Sequence, residues 1–135
     1  DNARFAQKEV QRGIPPVGGA TVRFPQAAGW SDAMRYMLTG DDFDAAEALR
    51  MRLLSEVTAP GQALPRALAY AERIAAAAPL AVQATLRSAS EARTEGDAAA
   101  LSRLDGYLLG LLGSEDVREG IMAMMQKREP VFSGR

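Results

Sequence analysis

Apolar residues recur along this chain at helical spacing for most of its length, and each run predicts an element. From Gln62 onward, Leu64, Ala67, Leu68, Ala71, Ile74 and Ala75 fall three and four residues apart, one stripe of an amphipathic helix. Leu101, Leu104, Leu108, Leu111 and Leu112 form the strongest stripe, and Val117, Ile121, Met124 and Met125 form another. Local chemistry sets the boundaries. Pro79 suits the first turn of a helix, where its missing N–H leaves no bond unmade. Ser114 followed by Glu115 and Asp116 marks a start at which a hydroxyl caps and carboxylates meet the positive end of the helix. Earlier in the chain, Ser31 predicts the cap of a helix to about Leu38, with Ala33, Met34, Met37 and Leu38 on one face and Thr39-Gly40 stopping it. Asp44 with Glu47 three residues on has the form of a capping box and opens a short helix to about Met51.

Strands are few. Residues 3–6 and Leu53–Val57 read as short strands. Residues 11–23 read as loop, because Gly13, Pro15, Pro16, Gly18 and Gly19 interrupt any regular element, with helix resuming only after Phe24. The alanine-rich stretches 75–78 and 98–100 are helix formers. Phe24 and Trp30 are expected to supply buried area.

Composition narrows the partners. With 135 residues, 47% hydrophobic and 24% charged, the chain is long enough for one core and too short for two ordinary domains, and a single globular unit is expected. Sixteen basic against 17 acidic residues leave a net charge of -1, which offers no electrostatic footprint for nucleic acid or an anionic membrane. No apolar run approaches the roughly 20 residues needed to cross a bilayer. The absence of cysteine and histidine removes thiolate chemistry and leaves a zinc site only carboxylates, so no metal is expected; it also suits a reducing cytoplasm. At about 25 cal/mol per Å² of apolar area, leaving the leucine and methionine stripes in water would forfeit several kcal/mol. Partners are therefore expected.

One stretch carries candidate chemistry. Arg4-Phe5-Ala6-Gln7-Lys8-Glu9-Val10 places an acidic residue after a short apolar run and before the loop Gly13-Ile14-Pro15-Pro16-Val17-Gly18-Gly19-Ala20-Thr21-Val22-Arg23. With Leu38-Thr39-Gly40, Asp44-Ala45-Ala46-Glu47-Ala48-Leu49, Ser114 to Gly120 and Lys127 to Phe132, it resembles the C-terminal half of the crotonase superfamily, the enoyl-CoA hydratase/isomerase family. The resemblance implies an α/β crotonase-like (ClpP/crotonase spiral) fold for the whole, of which this segment would be mostly α-helical with one or two short strands. Residues 1–57 would end the core with a strand, active-site loop, short helices and a strand, and residues 58–135 would be a helical region for trimerisation and CoA contact. The missing N-terminal half is expected to hold the second catalytic glutamate and both peptide N–H donors of the oxyanion hole.

Glu9 falls at the family's catalytic glutamate. Moving a proton at the carbon beside a thioester carbonyl needs an acid or base held against that carbon, and donors aimed at the developing enolate oxygen. Whether the reaction is hydration of a 2-enoyl-CoA or migration of its double bond is left open. Pro16, Val17 and Gly18 are expected to wall the acyl pocket, although turn chemistry alone accounts for their residue types; valine stands at 17 where hydratases of the family commonly have glycine, which would narrow the site or displace a water-binding backbone N–H. Lys127 matches a lysine near the coenzyme's adenine and phosphate end, with Met124 as an apolar neighbour, although a cation also simply favours a helix C-terminus. No prosthetic group is implied, coenzyme A being part of the substrate. A homotrimer or dimer of trimers in the cytoplasm is the implied assembly, with a non-catalytic module for oligomerisation or CoA binding as the alternative.

Overall fold

The first apolar stretch forms the expected strand, β1 (Arg4–Phe5), and its partner is one that sequence pattern does not announce. In the computed structural model, which describes residues 1–135, β1 pairs antiparallel with β2 (Phe43–Asp44), Arg4 opposite Asp44 and Phe5 opposite Phe43. Between them lie a 3-10 turn (Glu9–Arg12), α1 (Ala20–Ala28) and α2 (Trp30–Thr39); α3 (Ala45–Arg50) follows β2 directly. The remaining helices are α4 (Ala63–Ala75), α5 (Pro79–Glu95), α6 (Asp97–Leu111) and α7 (Glu115–Gln126). No helix is long and apolar enough to cross a membrane. Where a single globular unit is expected, the chain divides into two compact units, Asp1–Arg66 and Ala67–Arg135.

In the first unit the core gathers around Phe43, whose ring lies 5.5 Å from Phe5, 4.5 Å from Tyr36 and 6.2 Å from Phe24. Ala33, Met37, Ala48 and Met51 complete the buried cluster. Tyr36 occupies the inner face of α2 while Leu38 is 69% exposed. A tyrosine can be buried there because its hydroxyl donates to Glu47 Oε1 at 2.9 Å, satisfying the polar end of an otherwise apolar ring. Trp30, expected to pack, is 71% exposed.

Glu47 is the hub of the polar shell over this core. Arg50 bonds both of its oxygens, at 2.7 and 2.8 Å, and also reaches Asp32 at 2.7 Å, joining α3 to α2. The Arg50 guanidinium first, then the Tyr36 hydroxyl, lower the pKa of the Glu47 carboxyl to about 2. A carboxylate depressed in the folded state stabilises it above the unfolded value, about 4.3, and loses that contribution as pH falls toward the folded value. Thermal unfolding of the native protein and of Glu47→Gln should thus differ most at neutral pH and converge between about pH 4.5 and 2. A difference that stays constant across this range would show that Glu47 contributes shape alone.

Three boundaries differ from those the sequence predicts. α1 begins at Ala20, inside the stretch expected to be loop; Gly19 takes a left-handed φ of 86° ahead of it, and Pro25 is accommodated within the helix. α2 starts from Gly29, at φ 83° and ψ 160°, so Ser31 lies inside the first turn and does not cap. Leu53–Val57 forms no strand. After α3 the chain reverses through Arg52 at φ 62°, Leu53 N–H returns to the Ala48 carbonyl at 2.9 Å, and no neighbouring strand offers a ladder to residues 54–57. The Asp44 cap does form, its Oδ1 accepting from Glu47 N–H at 2.8 Å. The reciprocal arm of the box is absent, since the Glu47 side chain is held by Tyr36 and Arg50.

In the second unit α5 and α6 form a hairpin joined by one residue, Gly96, at φ 93° and ψ 161°. This is nearly the conformation of Gly29 between α1 and α2, a region open essentially to glycine alone. Across the hairpin, Tyr107 donates to Glu91 at 2.7 Å and Arg103 to Glu95 at 2.7 Å. Pro79 starts α5 and Ser114 Oγ caps α7 by accepting from Val117 N–H, both as expected. The last residues are strapped to α7. Buried Asp116 accepts from the N–H groups of Ser133 and Gly134, and the Arg135 carbonyl accepts from the N–H of Glu115 at 2.6 Å.

Candidate functional site

Glu9 opens the 3-10 turn that follows β1. Its backbone carbonyl accepts from Ile14 N–H at 3.2 Å, closing the turn, and Gly13 ends it at φ 78°. The side chain is half-buried, and Oε2 is shut off from solvent with no hydrogen-bond partner in this chain. Gln7 Oε1, two residues earlier, is in the same condition. Buried polar atoms are nearly always bonded, so two unmet acceptors on one short segment point to donors supplied from outside the chain.

The turn is fastened at its flanks. Lys8 Nζ donates to the Gly40 carbonyl at 2.8 Å and pairs with Asp42 at 2.8 Å. Gln11 Nε2 donates to the carbonyls of Thr39 at 2.9 Å and Gly40 at 3.2 Å. These are the unpaired carbonyls that a helix C-terminus leaves over, here the end of α2. Neither residue stands out in the sequence, because their partners lie about 30 positions away and no local pattern signals them.

Pro16, Val17 and Gly18 lie in the loop between this turn and α1; Pro16 is half-buried, Val17 is 64% exposed, and Gly18 has φ 68°. No hydrogen bond links them to the Glu9 Oε2 oxygen. Beside β1 an open cleft of about 550 Å³ is lined by Phe5, Gln7, Ala20, Arg23, Phe24 and Phe43, among others. Gln7 thus connects the segment of Glu9 to an apolar recess. Neither Glu9 nor the Pro16–Gly18 loop lines it.

Lys127 and Met124 belong to the second unit. Met124, 73% exposed, helps line a cleft of about 350 Å³ with Leu80, Leu111, Val117, Ile121 and Phe132. Lys127 ends α7 in a left-handed conformation, φ 53°, its N–H on the Met124 carbonyl at 3.2 Å, with Arg128 N–H on the Ala123 carbonyl at 3.0 Å. The adjoining Arg128 is neutralised by a two-pronged pair with Glu119 at 2.5 and 2.8 Å. That guanidinium, with the Val131 N–H, lowers the pKa of the Glu119 carboxyl to about 2. Both cations are exposed, and Arg128 is the ion-paired one of the two.

Comparison with known proteins bears on both segments. The enoyl-CoA hydratase/isomerase family matches over residues 1–135. An enoyl-CoA hydratase, EchA19, of Mycobacterium tuberculosis is 38% identical over all of this chain and 51% of its own length. The 2,3-dehydroadipyl-CoA hydratase of Escherichia coli is 35% identical over all of this chain and 53% of its own. A crystal structure of a probable enoyl-CoA hydratase/isomerase from Mycobacterium abscessus superposes with a TM-score of 0.94 at 50% identity, covering 98% of this chain and 52% of that one. The fold is therefore crotonase-like, and the chain, mostly helical with a two-stranded sheet, spans about half the length of the curated relatives it matches.

Proposed function

We propose that this chain, which belongs to the enoyl-CoA hydratase/isomerase family, is the C-terminal half of an enzyme that adds water to a 2-enoyl-CoA, or moves its double bond, with Glu9 as acid and base. The observation that carries this reading is the Glu9 carboxylate, with one oxygen solvent-excluded and unpartnered. A solvated surface glutamate would have both oxygens in water. A carboxylate held out of water is suited to exchange a proton with the carbon beside a thioester carbonyl. In hydration the water oxygen bonds to the β carbon while its proton passes to the second glutamate of the upstream half, the electron pair of the double bond moves toward the thioester oxygen, and the α carbon takes a proton from the Glu9 carboxyl, which is left as a carboxylate until it is reprotonated. The two donors that hold the enolate oxygen, and the second glutamate, would come from the upstream half. Pro16, Val17 and Gly18 would wall the acyl end, Val17 narrowing it, while Lys127 and Met124 would meet the coenzyme portion.

The division of labour would place residues 1–57 in the catalytic core and 58–135 in coenzyme contact and assembly. Support for assembly is the apolar surface: Leu64, Leu68 and Ile74 of α4, Leu101, Leu104 and Leu108 of α6 and Met124 and Met125 of α7 are all exposed. A homotrimer or dimer of trimers would cover such faces, and so would the alternative, a catalytically incomplete module that assembles or binds CoA. To separate the two, the protein carrying both halves is mixed with crotonyl-CoA, hydration is read from the product mass and migration of the double bond from its proton NMR spectrum. The enzyme reading expects the thioester to gain one water or to isomerise. Recovery of unchanged crotonyl-CoA from a folded, assembled protein would overturn it and favour the module.

A further inference from the structure

We propose that Lys8 and Gln11 are positioning residues that aim the Glu9 carboxylate by clamping its turn onto the carbonyl of Gly40; the inference rests on Glu9 having the role given above. A four-residue 3-10 turn has little stability of its own, since short helical segments do not repay their nucleation. Its orientation must be fixed from elsewhere. In a helix of three residues per turn, positions i and i+3 lie on one face, so Lys8 and Gln11 project to one side and Glu9, one residue on from Lys8, to another. The bonds follow that geometry: both amine and amide converge on Gly40 O, while Glu9 Oε2 makes no bond within the chain. The anchored face and the reactive face are separate.

The receiving end is equally specific. Gly40 caps α2 at φ 70°, its N–H on the Tyr36 carbonyl, so its own carbonyl belongs to the negative end of the helix, where a lysine ammonium is favoured. A Cβ at Gly40 would stand 2.8 Å from the Cγ, Cδ and Nε2 atoms of Gln11. The left-handed conformation favours glycine at 40, and a Cβ there would displace the flexible Gln11 side chain from its bond. Gln11 also takes the Thr39 carbonyl, so the two side chains hold the last two carbonyls of the α2 end together.

The test uses the complete two-half enzyme and compares Glu9→Gln, the double variant Lys8→Ala/Gln11→Ala, and the donor-retaining Lys8→Arg. Turnover per folded molecule is measured alongside KM and the exchange of an α proton of a saturated acyl-CoA with D2O, which reports the proton-transfer step alone. Misplacing a catalytic group by about 1 Å costs on the order of 100-fold. The double variant is therefore expected to lose about 10- to 100-fold in kcat and in α-proton exchange, with KM within about threefold, and Lys8→Arg to keep most of the rate. A purely structural role would reduce the folded fraction without slowing exchange in the molecules that remain folded, and that result would overturn the inference. If Glu9→Gln abolishes turnover while the double variant keeps its kcat, the clamp is refuted and the role of Glu9 stands. If Glu9→Gln keeps its rate, the reading of Glu9 itself falls, and the clamp with it.

Discussion

Glu9→Gln is expected to lower kcat of the complete enzyme by about 100- to 10,000-fold, the range over which a positioned acid or base contributes, while leaving the fold in place. Glutamine keeps the shape and cannot donate or take up the proton. Stability adds a second expectation. The Glu9 Oε2 oxygen makes no hydrogen bond within this chain, so the substitution removes no contact of that oxygen here. The unfolding midpoint should therefore stay where it is. Rate and midpoint thus move independently, which a glutamate kept for a structural ion pair would not allow. A variant that retains its rate to within a few-fold would refute the assignment, and one that loses rate only by unfolding would do the same.

Met51→Ala is expected to destabilise by about 2–5 kcal/mol, the range for emptying a buried methionine site. Met51 is 2% exposed and closes the cluster of Phe24, Tyr36, Met37 and Phe43 at the end of α3. That loss is a large part of the roughly 5–15 kcal/mol that holds a domain folded, and it would appear as a lower denaturant midpoint. Met125 offers the contrast, being 75% exposed. The same change there should alter stability of the chain by less than about 0.5 kcal/mol, and a larger loss would show that a partner covers α7. An equal effect at the two sites would contradict the burial described for Met51.

Much of the helical outline was legible because its signals are local. Asp44 caps α3, Ser114 caps α7, Pro79 opens α5 and Gly40 closes α2, each by chemistry within a few residues. The family was legible from the run around Glu9 and is supported over the whole chain. The features that escaped depend on distant partners. Leu53–Val57 has strand-forming residues and no strand to pair with, whereas Phe43–Asp44 is too short to show a period and pairs because Phe43 stacks on Phe5. Tyr36 is not among the residues predicted for the apolar face of α2, yet it is buried, its hydroxyl meeting an acceptor in the distant Glu47. Lys8 and Gln11 went unremarked in the sequence, because nothing near them announces Gly40.

The single-glycine corners at Gly29 and Gly96 also bear on the order in which the chain folds. Each joins two helices that pack as sequence neighbours, so closing either hairpin sacrifices almost no chain entropy. Contacts this local form early, on the microsecond scale of helix and hairpin events. The pairing of Arg4 with Asp44 instead has to close the whole intervening chain. The expected sequence of events therefore ends at β1: the helical frame forms first, and the strand that leads into Glu9 is set in place only when α1, α2 and β2 are already there to receive it.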